Sequence, residues 1–106
     1  MIVYGIKSCD TVKKAMKALE AAGHAPVLRD VRAAPLSPEE IAEFEAAFGA
    51  KLINRASTTW RGLDEAERAQ PAAELLAAHP TLMKRPVIRG RSLTIGWDKA
   101  AQEAQL

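Results

Sequence analysis

An apolar run rich in strand-forming residues, Ile2-Val-Tyr-Gly-Ile6, and a second strand-like segment, Pro26-Val-Leu-Arg-Asp-Val31, flank a stretch with helical periodicity. No other feature restricts the fold as tightly. Val12, Ala15, Met16 and Leu19 recur at i, i+3, i+4 and i+7, and Lys13, Lys14, Lys17 and Glu20 fall on the opposite face. Gly23 supplies a C-terminal stop. A strand, a crossover helix of this length and a second strand form a parallel βαβ unit. The turn between its first strand and its helix reads Lys7-Ser-Cys-Asp10.

The middle of the chain has a different pattern. Ser37-Pro38-Glu39-Glu40 combines a capping hydroxyl, a first-turn proline and an acid three residues after the cap, which predicts a helix start. Ile41, Phe44, Ala47 and Phe48 form its predicted buried stripe, with Gly49 at its end. Asp64-Glu-Ala-Glu67 repeats the capping pattern, and Glu74 to Ala78 predicts a further helix running towards His79 and Pro80. Residues 37 to 79 therefore read as helical throughout. After Arg85 and Pro86, Val87-Ile88 and Leu93-Thr-Ile95 read as two antiparallel strands joined by the tight turn Arg89-Gly90-Arg91-Ser92, and Trp97-Asp98 opens a last helix. The order is βαβ, a helical block, then ββα. This is the α/β pattern of a thioredoxin-like fold, with a mixed four-stranded sheet and an all-helical insertion over about 37–79, in a chain of the length of one domain.

Composition narrows the function. With 48% hydrophobic and 26% charged residues, the chain is expected to fold rather than stay disordered. Fifteen lysines and arginines against 13 acids leave a net charge of +2, too balanced for a nucleic-acid footprint. No apolar run reaches the roughly 20 residues that span a bilayer, and the N-terminus lacks the pattern of a signal peptide. A cytoplasmic protein with no membrane contact is expected. Cys9 is the only cysteine, which excludes an internal disulfide and fits a reducing compartment. The two histidines, His24 and His79, have no spacing that would hold a metal, and no glycine-rich phosphate loop is present. No metal and no bound cofactor are expected.

Cys9 is the residue on which chemistry is expected to centre. It stands where a strand turns into a helix, and there the first backbone amides lack intrahelical acceptors and the helix dipole is positive. Such positions favour thiolate over thiol, especially beside cations, and the thiolate is the nucleophilic form. Lys7, Lys13, Lys14 and Lys17 cluster around it in sequence, whereas Glu39, Glu40, Glu43 and Glu45 lie further along. Asp10 or Thr11 is expected to cap the helix through a side-chain oxygen. Because the chain has one thiol, a mixed disulfide on Cys9 has no internal partner to displace it. Turnover would need an external thiol such as glutathione or glutaredoxin.

Tyr4-Gly-Ile-Lys-Ser-Cys-Asp-Thr-Val-Lys-Lys-Ala15, Thr59-Trp60-Arg61, Lys84-Arg85-Pro86 and Ile95-Gly96, in this order and spacing, resemble the YffB-like branch of the ArsC/Spx family, which includes arsenate reductases. The resemblance covers essentially the whole chain. It implies a thioredoxin-like fold, a reactive cysteine after the first strand, and glutathione as co-substrate for the enzymatic members. The second cysteine of dithiol relatives falls at Val12 here. Pro86 matches the position of a cis-proline that faces the reactive cysteine, which makes Arg85 a candidate for binding an oxyanion or a glutathione carboxylate. Of the three arginines that arsenate-reducing members use, Arg85 matches the second, the first falls on the stretch holding Arg55, and the third falls near Gly96, where no arginine stands. Losing one charge-assisted contact, roughly 1.5–3 kcal/mol, weakens oxyanion binding by about one to two orders of magnitude, which argues against arsenate as substrate.

Lys7 is a further candidate for a glutathione carboxylate, and Trp60 either walls the site or closes the core. The reading that results is a glutathione-dependent monothiol reductase. The alternative is a regulator that resembles Spx and binds RNA polymerase without turnover. Val12 in place of a second thiol removes the redox switch such a regulator would carry.

Overall fold

The computed structural model describes residues 1–106. The chain divides into two compact units, one built from residues 1–31 and 85–106 and the other from the continuous segment 32–84.

In the first unit, β1 (Ile2–Gly5), α1 (Asp10–Ala21) and β2 (Val27–Asp30) form the expected βαβ unit, and β3 (Val87–Arg89), β4 (Leu93–Ile95) and the C-terminal helix Lys99–Gln105 complete it. The sheet order is β2-β1-β3-β4. β1 runs parallel to β2 and antiparallel to β3, and β3 is antiparallel to β4. This is the mixed four-stranded sheet of a thioredoxin-like fold. Alternation along β1 sends Val3 to the face covered by α1, where Val3, Val12, Ala15, Leu19 and Ile88 form a buried cluster. Each such aliphatic side chain contributes roughly 1.5–3 kcal/mol by leaving water. Met16 is only half-buried at the edge of this cluster. Gly5 lets α1 approach β1 closely, since a Cβ there would lie 2.6 Å from Val12 Cγ2. Gly23, at φ 89°, follows the end of α1 in the left-handed region that favours glycine.

The second unit differs from a continuous helical block. It contains α2 (Pro38–Phe48), α3 (Thr58–Arg61), α4 (Glu65–Arg68) and α5 (Ala72–Ala78), with 3-10 turns at Gly49–Leu52 and Pro80–Leu82. The last helix of the chain, Lys99–Gln105, is therefore α6. The break after α2 is held by an isolated antiparallel bridge between Ile53 and Met83. Asn54 N–H donates to the Leu82 carbonyl at 2.8 Å, and Lys84 N–H to the Leu52 carbonyl at 2.9 Å. Local propensity cannot reveal this pairing, because its partners lie some thirty residues apart in the chain. The capping motifs form as expected. Ser37 and Glu40 make a reciprocal capping box on α2, and Asp64 and Glu67 make one on α4. On α2, Ile41 and Phe44 are buried and Phe48 is half-buried, but Ala47 is exposed, so the buried stripe is narrower than its spacing suggests.

No helix is long and apolar enough to cross a membrane.

Candidate active site

Strand register gathers the first unit's candidate residues at one end of the sheet. Tyr4 pairs with Val87, so the end of β1 that turns into Cys9 lies at the same end as the start of β3, which Arg85 and Pro86 precede. Gly5 pairs with Asp30 and Val87 with Ile95, which brings the end of β2 and the Ile95-Gly96 step there too. The Arg85–Pro86 peptide bond is cis. Gly96, at φ 79°, donates its N–H to the Pro86 carbonyl at 2.8 Å, which ties the end of β4 to this segment.

The turn carrying the cysteine is closed locally. Cys9 N–H donates to the Ile6 carbonyl at 3.1 Å, and the Cys9 carbonyl accepts from Lys13 N–H at 3.0 Å. Cys9 is itself the N-cap residue of α1, in extended conformation, and makes no side-chain capping bond. This corrects the expectation that Asp10 or Thr11 caps α1. Both are helical residues of the first turn, so neither holds the flanking position from which an oxygen reaches back to the N2 or N3 amide. Cys9 therefore holds the residue position from which a side chain caps a helix, but its sulfur accepts no hydrogen bond from the first turn. The first-turn amides, which helix geometry leaves without intrahelical acceptors, follow Cys9 directly in the chain.

Cys9 is half-buried. It packs on one side against the Val3, Val12 and Ile88 cluster and remains partly open to solvent. Lys7 is exposed, and its backbone N–H donates to Asp30 Oδ2 at 3.2 Å. Asp30 thus fastens the cysteine turn to the neighbouring strand, a role the sequence reading missed. No local signal marks it, since the two residues lie 23 positions apart in the chain.

Arg85 is half-buried, and its Nη1 is a fully buried donor with no hydrogen-bond partner. A buried guanidinium nitrogen without an acceptor costs about 1–3 kcal/mol, so this end of the sheet holds an unmet demand for an anion or acceptor.

Arg55 and Trp60 belong to the second unit. Arg55 Nη1 donates to the Ala50 carbonyl at 3.0 Å, and its guanidinium carbon lies 5.2 Å from the centre of the Trp60 ring. The Arg68 guanidinium carbon lies 5.6 Å from the same ring, and Arg68 donates from Nε to the Trp60 carbonyl and from Nη2 to the Arg61 carbonyl. Trp60 is thus a half-buried platform for two arginines.

A βαβ and ββα sheet with a half-exposed cysteine at the N-cap position of its first helix defines a thioredoxin-like domain of the thiol-dependent type. The chain matches the ArsC family over residues 4–104 and belongs to that arsenate-reductase-like family. It is 42% identical to an uncharacterized protein of Haemophilus influenzae, over 96% of this chain and 95% of that protein. Among solved structures it is similar to the YFFB (PA3664) protein, with 38% identity, a TM-score of 0.89 and coverage of 99% of this chain and 97% of the other. It is also similar to an arsenate reductase (ArsC) related protein from Brucella melitensis, with 38% identity, a TM-score of 0.73 and coverage of 97% and 91%.

Proposed function

We propose that this protein is a glutathione-dependent monothiol reductase in which Cys9 is the nucleophile. The observation that carries the reading is the position of the chain's single thiol: it stands on the N-cap residue of α1, half-open to solvent, at the end of the sheet where Arg85 holds a buried donor without an acceptor. The Cys9 thiolate attacks one sulfur of a disulfide R–S–S–R′, forming Cys9–S–S–R and releasing R′–S⁻. A glutathione thiolate then attacks the R-side sulfur, which gives glutathione–S–S–R and regenerates the Cys9 thiolate. One external thiol is thus oxidised for each R′–S⁻ released, and a second is needed to release R from glutathione–S–S–R, as a chain with one cysteine requires.

Arg85, which is only half-buried as a residue, binds an anionic group of the substrate or of glutathione, and Lys7 supplies a second, solvent-facing cation for a carboxylate. Asp30 acts through the backbone, holding the Lys7 amide and hence the turn. Glutaredoxin is an alternative thiol donor for the second step. The compartment that fits this chemistry is the reducing cytoplasm.

The test is reduction of the mixed disulfide between glutathione and 2-mercaptoethanol, followed as NADPH consumption through glutathione reductase. The wild-type protein is expected to accelerate the reaction above the uncatalysed rate, and Cys9→Ser to abolish the acceleration. A wild-type rate equal to the background, or an undiminished rate in Cys9→Ser, refutes the proposal.

A further inference from the structure

The second unit contains a cavity of about 260 Å³ that the chemistry of Cys9 does not use. Arg55 and Arg68 line it together with Glu45, and Ile53, Ala72 and Leu75 supply its apolar wall. Ile53 and Leu75 are buried core residues, so this wall is fixed. The two arginines are exposed, but each makes several contacts. Each guanidinium lies within 6 Å of the Trp60 ring centre, and each is tied to backbone carbonyls, Arg55 to Ala50 and Arg68 to Trp60 and Arg61. Neither forms an ion pair with a carboxylate, although Glu45 lines the same cavity.

Two guanidinium groups lining one cavity repel each other, and an anion bound there relieves that repulsion. Contact with Trp60 and the backbone carbonyls restrains both forks, which reduces the side-chain entropy lost when a carboxylate binds. Glu45 leaves the lining with a net charge of +1, which suits a monoanion better than a dianion. The volume fits a compact molecule of about a dozen non-hydrogen atoms at most.

We infer that this cavity is a binding site for a small organic monocarboxylate with an apolar body. Its carboxylate lies against Arg55 and Arg68, and its hydrocarbon part lies on Ile53, Ala72 and Leu75. The site does not rest on the reductase reading: Arg55 is also the residue that the family resemblance offers for an oxyanion, but neither the cavity nor the readout involves the thiol.

Hexanoate is a suitable probe, with hexanol as the uncharged control, and two-dimensional amide NMR of the full chain is a suitable readout. Hexanoate is expected to give saturable shifts in the amides of residues 45–75 and in the Trp60 indole N–H, with a Kd on the order of 1 mM for a ligand of this size. Hexanol is expected to give none at the same concentrations. Arg68→Gln and Arg55→Gln, each confirmed as folded by its own spectrum, are expected to weaken binding at least tenfold. Absence of saturable shifts up to tens of millimolar, equal shifts with hexanol, or unchanged affinity in both folded variants would overturn the inference.

Discussion

Arg85 shows how a residue can be unfavourable for the fold and favourable for the reaction. Its Nη1 is buried with no acceptor, so replacing it with methionine, similar in length but without donors, removes a desolvation cost. Arg85→Met is expected to unfold in urea at an unchanged or slightly higher midpoint, by up to about 1 kcal/mol, while glutathione-dependent turnover falls at least tenfold. A clear loss of stability with full turnover would make Arg85 a structural residue instead. Gly5 presents the opposite case. A methyl group there meets the side chain of Val12, which is buried and held in the cluster with Val3, Leu19 and Ile88. Gly5→Ala should therefore destabilise the protein by about 1–3 kcal/mol, read from the shift in urea midpoint at constant slope.

At the scale of elements, the hairpin of β3 and β4 depends on a side chain from α6. Gln105 is fully buried, and its Nε2 lies 2.8 Å from the Ser92 carbonyl, 2.9 Å from Thr94 Oγ1 and 3.3 Å from the Ile88 carbonyl. Gln105→Ala leaves those acceptors buried and opens a void, so a loss of about 2–4 kcal/mol is expected, again from urea unfolding. Nothing in the sequence marked this residue, because a glutamine in the last turn of a polar helix reads as solvated, and only the return of α6 onto the sheet buries it. The capping boxes were legible for the converse reason: Ser37 with Glu40 and Asp64 with Glu67 are wholly local. Ser37→Ala should cost about 1 kcal/mol, seen as a lower thermal midpoint, and Ser37→Asp should restore most of it.

For the whole chain, the order of strands and helices was readable because hydrophobic period and turn residues act over short distances. The Ile53–Met83 bridge, the Asp30 tether on the cysteine turn and the open cap at Cys9 were not readable. The first two depend on pairings distant in sequence. The third depends on where α1 begins, and a shift of one residue decides whether Cys9, Asp10 or Thr11 is the cap. The lone thiol needed no structure to interpret, since one cysteine cannot resolve its own disulfide. That property makes the central claim directly measurable. After exposure to glutathione disulfide at neutral pH, intact-mass spectrometry is expected to show one glutathione on the native protein, located at Cys9 and removed by added glutathione. A protein that stays unmodified while native, or an adduct that glutathione does not remove, would contradict the account.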